Sequence, residues 1–352
     1  MTAPVMPTGA TIVDRRPITM GDVERVLRDY DIGEPIALPV PAGGTANANC
    51  RVETSAGTFI LRRRNPKYAV PAYVAFDHRL MEHMAAHDVP TPLAVRSRSG
   101  LRWTVVAGDT FEVFPYRPGN THDRNSIEQI RSAGAALARF HLAAASFEPP
   151  PGKEWPRYDD PMQVRAGLRE MSHELPARLT AADLAYLHDQ VARVERELPD
   201  QVYGSLPRHV IHGDFHPANV LYIGDAVAGI YDLDWCTVQP RVRDIADGLI
   251  FFAGSRDGDV TSSDIRKLTR TWRHAPDRSR AFLDAYSAVN PISRSELALL
   301  PVFMTARWLH CRTIGRSKVA PDERIAFFLD GLLDPLRSLE PLTALLEVSA
   351  WL

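Results

Sequence analysis

HGDFHPANVL at residues 212–221, followed by GIYDLD at 229–234, is the stretch that decides how this chain folds. Asp214 and Asn219 stand five apart in a segment broken by Gly213 and Pro217, which places them on a shaped loop and not on a helix face. NVLYI then reads as a strand, Gly224-Asp225 as a turn, and the returning strand delivers Asp232 back beside the loop. Two carboxylates and an amide in one small volume are hard oxygen ligands of the kind that suit Mg²⁺. A carboxylate placed near an incoming hydroxyl can also accept its proton. His212 and His216 have a zinc-like i, i+4 spacing, but Gly213 and Pro217 argue against the helix that spacing would need. His212 therefore reads as a hydrogen-bonding residue of the loop, and His216 as a neighbour of the substrate. Asp234 completes an Asp-x-Asp pair. It reads as a solvated or loop-bonding residue on the substrate side, with a second metal ligand as the rival reading.

Outward from this island the chain changes character twice. Residues 19–30 have the pattern of a short amphipathic helix capped by Thr19. Period-two patterning over 35–63 predicts strands, with CRVET and TFILR as a hairpin around Ser55-Ala56-Gly57. A helix is expected at 72–87 and further strands at 92–97, 101–106 and 111–116. Beyond Pro118-Gly119-Asn120 the pattern is helical, at roughly 124–143, 161–175, 181–198, 241–254, 278–288, 294–315 and 321–338. The Pro-rich run at 148–152 reads as a surface loop. The segment PAGGTANAN at 41–49 joins two predicted strands and is rich in small residues. Such a loop lets backbone N–H groups approach phosphate oxygens closely.

Composition sets the outer limits. The 352 residues suffice for two domains, and 45% apolar with 24% charged side chains is ordinary for a globular protein. A net charge of -2, from 41 basic and 43 acidic side chains, argues against nucleic acid as a partner. Only four of the basic residues are lysine: Lys67, Lys153, Lys267 and Lys318. Three widely spaced cysteines suggest reduced thiols. The first residues lack a secretory pattern and no apolar run approaches membrane-spanning length, so a cytoplasmic protein without a membrane partner is expected.

His212-x-Asp214-x₄-Asn219, with Asp232 beyond a hairpin, resembles the catalytic loop and metal-binding Asp of the aminoglycoside phosphotransferase and choline kinase superfamily. Within it the chain is most similar to type II homoserine kinases, through NANCRVETSAGTFIL at 47–61, LMEHMAAHDVPTPLAV at 80–95 and LDAYSAVNPISRSELALLP at 283–301. Asp244, in RDIADGL, matches a further structural Asp of that superfamily. The resemblance implies an α+β, two-lobed, protein-kinase-like fold, with a β-rich N-lobe over 1–117 and a mainly helical C-lobe over 118–352. It implies transfer of the γ-phosphoryl group of ATP (or GTP), with Mg²⁺, to the hydroxyl of a small molecule such as homoserine.

Carried over residue by residue, the resemblance makes Asp214 catalytic and Asn219 and Asp232 metal ligands. Gly43, Gly44, Thr45 and Asn47 form the phosphate loop, and Phe114 to Tyr116 the adenine edge. The third strand of a kinase presents a lysine to the phosphates, paired with a helix glutamate. Here those positions read Arg62 and Asp77, a longer cation opposite a shorter carboxylate. His216, Asp234, Arg307 and His310 are the expected substrate contacts, the last two as a site for an anionic handle. An antibiotic or natural-product phosphotransferase is the rival enzyme, a nucleotide-binding pseudokinase the rival without turnover, and a zinc hydrolase on the two histidines the third alternative.

Overall fold

The computed structural model describes residues 16–44, 46–258, 260, 264–339 and 342. The sheet that opens the fold is built from β1 (Val40–Ala42), β2 (Ala48–Thr54), β3 (Gly57–Arg63), β4 (Thr104–Val106) and β5 (Asp109–Pro115). It is antiparallel throughout, in the order β1-β2-β3-β5-β4. Helix α1 (Met20–Leu27) begins in a capping box: Thr19 accepts from the Asp22 backbone N–H and Asp22 accepts from that of Thr19. Its Val23, Val26 and Leu27 pack with Cys50, Val52, Leu61, Phe111 and Val113 as the core beneath the sheet.

Helix α2 (Pro71–Ala86) lies between β3 and β4 in sequence, but its Phe76, Leu80, Met81 and Met84 join the larger helical core. The helices that follow are α3 (Ile127–Ala145), α4 (Pro161–Glu170), α5 (Ala181–Glu197), α6 (Asp200–Ser205), α7 (Val242–Gly248), α8 (Ile265–Leu268), α9 (Pro276–Ser287), α10 (Arg294–Gly315), α11 (Arg324–Leu329) and α12 (Leu333–Arg337), all but α8 contributing side chains to that core. Two short antiparallel ribbons sit among these helices. One pairs β6 (Arg208–Ile211) with β9 (Thr237–Pro240), the other β7 (Val220–Ile223) with β8 (Ala226–Ile230). The two-lobed α+β architecture read from the sequence is the one observed. No helix of the described residues is long and apolar enough to cross a membrane.

Four expected elements differ. Residues 92–97 form no strand: Pro92 lacks a donor, and the segment's bond to β5 is Val95 donating to the Val113 carbonyl at 2.7 Å. The strand at 101–106 shrinks to Thr104–Val106. The helix at 241–254 changes to a π-helical turn over Leu249–Ala253, and that at 321–338 breaks into α11 and α12. The loop at 148–152 is largely at the surface as expected, but it leads directly to Lys153, which is only 4% exposed.

Burial of histidines has a consequence for stability. Burial holds His122, His209, His274 and His310 down to about 4, so they are neutral in the fold at pH 7. Their folded pKa lies below the unfolded value of about 6.5, so the unfolded chain binds more protons between those limits. The stability they contribute is complete above about pH 6.5 and is lost as pH falls towards 4. Thermal unfolding followed by circular dichroism should show a midpoint lower by at least about 5 °C at pH 5 than at pH 7.

Candidate active site

The loop at 212–219 is held from below by one carboxylate. Asp244, in the first turn of α7, accepts the backbone N–H of His212 at 2.6 Å and of Gly213 at 3.0 Å. His141 of α3 meets the same carboxylate at 3.2 Å. Burial pushes the Asp244 carboxyl up, but His141 and Arg243 outweigh it and keep the group at about 2. Gly213 has φ +79°, and a Cβ there would lie 2.5 Å from the Trp235 carbonyl oxygen, so the turn requires glycine. Arg243 donates to the Gly213 carbonyl at 2.7 Å. His212 is fully buried with Nε2 2.9 Å from the Tyr231 carbonyl, as a loop-bonding residue should be. The Asn219 amide donates to the Asp214 carbonyl at 2.9 Å, so the loop closes on itself and the side-chain oxygen is what Asn219 can offer a cation.

Asp214 stands at the head of this loop, with its carboxylate partly exposed. Arg307 of α10 reaches it at 3.4 Å and His216 at 3.3 Å. Burial raises its pKa, but His216 and Arg307 together hold it below the usual carboxylate range. The ring of Phe251 fills the space between them, 5.8 Å from His216 and 5.5 Å from the Arg307 guanidinium. Arg307 also bonds Asp247, which is buried between Arg243 and Arg307 and pushed up to about 6 by that burial. His310, one turn along α10, is buried 3.5 Å from Asp159, the carboxylate that Arg243 meets at 3.1 Å. The structure thus brings His216 and Arg307 to Asp214 and sets His310 in the adjoining buried network of Asp159, Arg243 and Asp247.

A second cluster lies where the sheet meets the loop at 231–236. Three cations, Arg62, Arg64 and Lys153, meet four carboxylates, Asp77, Glu112, Asp232 and Asp234. Arg62 bonds Asp234, lies 3.1 Å from Asp232 and 3.5 Å from Glu112, its directly opposite residue on β5. Arg64 is fully buried, 2.8 Å from Asp77, 3.0 Å from Glu112 and 3.4 Å from Asp234. The expected Arg62–Asp77 pair is not what forms. The two oxygens of Asp77 are taken by Arg64 and Lys153, while Arg62 points to the 232–234 turn. β3 alternates its faces, so Arg62 and Arg64 emerge on one side and divide the acidic partners between them.

Asp232 has φ +64°, a strained conformation for a residue with a Cβ, and it is only partly buried. Burial and the neighbouring Asp234 carboxylate push it up to about 6. Asp234, expected at the substrate, is instead 2% exposed and faces the sheet. It accepts from Asn47 at 2.7 Å; burial pushes its carboxyl up, but Arg62 and Arg64 outweigh that and hold it low. Asn47 also accepts the Asn65 N–H at 2.9 Å, which makes it a tie between the Gly-rich loop and the turn. Gly43 accepts from the Asn49 amide at 2.7 Å, and Gly44 sits at φ +151°, where a Cβ would meet that same amide at 2.7 Å. Thr45 lies outside the described residues. Phe114 is buried at the end of β5 and Tyr116 is exposed just beyond it.

Sequence reasoning missed Arg64, Glu112, Lys153 and Asp247. Glu112 left a signal: it is a lone acid inside the apolar run Phe111-Glu112-Val113-Phe114, and buried acids are rarely unpaired. No group of three or more His, Cys, Asp or Glu side chains among the described residues is arranged to hold a metal by itself.

Residues 38–282 match the family described as Phosphotransferase enzyme family. A homoserine kinase of Acidiphilium cryptum is 31% identical over 298 residues, covering 78% of this chain and 79% of that protein. An aminoglycoside phosphotransferase from Alicyclobacillus acidocaldarius has the same fold at TM-score 0.67 and 17% identity, over 99% of this chain and 97% of its own. An amicoumacin kinase, solved in complex with AMP-PNP, Ca²⁺ and Ami, superposes at TM-score 0.63 and 15% identity, over 92% of each chain.

The cluster also sets a stability test. Glu112→Ala would leave Arg62 and Arg64 facing one another with one acid fewer in a buried site. Chemical denaturation should show a loss of about 3–5 kcal/mol, against less than about 1 kcal/mol for the exposed pair of Arg51 and Glu53.

Proposed function

Because the chain belongs to the phosphotransferase enzyme family and is a small-molecule kinase, we propose that it transfers the γ-phosphoryl group of Mg-ATP to the hydroxyl of an amino-acid-like alcohol, with homoserine as the leading acceptor. The observation that carries the acceptor is Arg307 at 3.4 Å from Asp214. A fixed guanidinium beside the catalytic carboxylate suits an acceptor with its own carboxylate, which it can grip with two donors. The same cation, backed by Arg243 across Asp247, disfavours a polycationic acceptor such as an aminoglycoside. The resemblance to homoserine kinases supports the same choice.

In this reading Asp214 orients the acceptor hydroxyl and takes its proton as the new P–O bond forms and the bond to ADP breaks. Phe251 and His216 close the acceptor side, and Arg307 anchors the carboxylate. Gly43, Gly44 and Thr45 cover the phosphates, and Phe114 to Tyr116 border the base. Arg62, 3.1 Å from Asp232, stands beside the metal-side acid and would serve the phosphates.

For Mg²⁺ the donor set fits. Asp232 is partly exposed and crowded by Asp234 and Asp214, an excess of negative charge that a divalent cation relieves, and Asn219 adds a neutral oxygen. Bound there, Mg²⁺ would neutralise charge on the transferring phosphates.

Purified protein should phosphorylate homoserine with ATP, and chelation by EDTA should abolish turnover until Mg²⁺ is restored. Turnover of an antibiotic alcohol but not of homoserine would overturn the acceptor. Asp214→Asn should lower kcat by about 10³-fold while nucleotide affinity stays within about threefold. Arg62→Ala should raise the nucleotide KM; an unchanged KM would remove Arg62 from phosphate binding.

A further inference from the structure

Lys153 is one of four lysines in a chain with 41 basic residues, and it is buried in the charge cluster with its side chain 1% exposed. It comes from neither the sheet nor α2. It follows the Pro-rich loop between α3 and α4, and its ammonium bonds Asp77 of α2. A second donor reaches the Leu233 carbonyl at 3.2 Å, between the two acids of the 232–234 turn. The ring of Phe76 lies 5.0 Å from the same ammonium.

We infer that Lys153 is a positioning residue for metal–nucleotide binding: it clamps α2 to the turn that presents Asp232. The inference rests on the kinase reading only in taking Mg-nucleotide as the ligand. Each link of the clamp is a contact. Arg64 at the end of β3 holds one oxygen of Asp77 at 2.8 Å, Lys153 holds the other, and Lys153 holds Leu233. A strained left-handed residue such as Asp232 persists only where its surroundings over-determine it, and the bond to the adjacent carbonyl is one such constraint.

Residue type fits the place. An ammonium is a compact point charge that can serve a carboxylate, a carbonyl and a ring face at once. A planar guanidinium fork cannot take up that arrangement without displacing one of them. In a chain that uses arginine almost everywhere, the lysine at 153 sits where the compact cation is the one that fits. The role is distinct from that of Arg62, which approaches the same turn from its other side and bonds the acids themselves.

The test compares wild type, Lys153→Met, Lys153→Arg and the double variant Asp77→Asn/Lys153→Met. Mg-AMP-PNP affinity is measured by calorimetry without acceptor, and KM for ATP and for acceptor by steady-state assay. Lys153→Met should weaken Mg-AMP-PNP binding by about 10–100-fold and raise the ATP KM in step, with the acceptor KM within about threefold of wild type. Lys153→Arg, which keeps the charge, should still lose about tenfold. The double variant removes both buried charges together and so stays folded if Lys153→Met does not. Its loss should equal that of Lys153→Met alone where both can be measured, because the two residues act as one unit.

Wild-type affinity in Lys153→Met, or in the double variant, overturns the inference. So does a loss that falls equally on the acceptor KM, since a general packing defect would move both. A wild-type protein that binds no Mg-nucleotide would instead overturn the kinase reading itself, which separates the two failures.

Discussion

Glu112 is the point about which the charged interior is arranged. It is fully buried in the middle of the sheet's last long strand, and taking such a carboxylate out of water costs several kcal/mol unless its oxygens are met by donors. Arg64, Arg62 and His78 stand against them at 3.0, 3.5 and 2.8 Å, ion-pair distances that compensate the charge rather than hydrogen bonds. Burial pushes the Glu112 carboxyl up, but Arg64 and His78 outweigh it and keep the group ionised. Having drawn two guanidinium groups into the interior, the sheet must in turn satisfy them. They do so with acids from elsewhere: Asp77 on α2, and Asp232 and Asp234 on the turn after β8. The sheet, α2 and the turn are thereby fixed relative to one another by charge matching, which demands position in a way that apolar packing does not.

The catalytic loop is anchored by a separate device of the same kind. Asp244 accepts two successive backbone N–H groups and a histidine, and it can do this because α7 begins beneath the loop. The charge of Asp244 near a helix N-terminus is favoured by the helix dipole as well. Gly213 permits the turn to pass within contact of the Trp235 carbonyl, so the loop and the 232–235 turn are packed against each other, backbone to backbone. Asp214 and Asp232 therefore sit on two supports that touch, and their separation is set by backbone and not by flexible side chains.

How much of this was legible in the sequence follows from the range of each interaction. The loop residues Asp214 and Asn219, the loop-bonding role of His212 and the return of Asp232 through a tight hairpin are local, and spacing with Gly and Pro punctuation carries them; Asp244 came only from the family resemblance, since the backbone groups it holds lie 31 and 32 positions away. The two-lobed architecture followed from the change of hydrophobic period near residue 118. What the sequence did not carry are partnerships across long separations. Arg62, Arg63 and Arg64 are indistinguishable as a run; alternation sets Arg63 apart from the other two, and only the three-dimensional placement of α2 and the 232–234 turn decides that Arg64 meets Asp77 and Arg62 meets Asp234. Asp234 has the pattern of a loop residue, and its burial comes from Asn47, Arg62 and Arg64, all more than 160 positions away in the chain. Lys153 follows a run of prolines that marks a surface loop, and nothing local tells that the next side chain turns inward. At 92–97 the apolar run Leu93-Ala94-Val95 was genuine, but Pro92 at its start has no N–H to give a ladder.

The electrostatics at Asp214 bear on what kind of base it can be. Two donors, Arg307 and His216, lie on its carboxylate and hold its proton affinity below that of an ordinary aspartate. A group so weakened is poorly suited to remove a hydroxyl proton before phosphoryl transfer begins. A loose, metaphosphate-like transition state does not ask for that: the acceptor oxygen needs alignment first, and its acidity rises only as the new P–O bond forms. In the proposed mechanism a low-affinity carboxylate on a rigid loop is matched to this order of events: it would orient the hydroxyl by a hydrogen bond and accept the proton late. An acceptor carboxylate on Arg307 would draw that cation partly away from Asp214, raising the base's affinity when substrate is in place. Recognition of an acidic acceptor and activation of the base would then be the same electrostatic event.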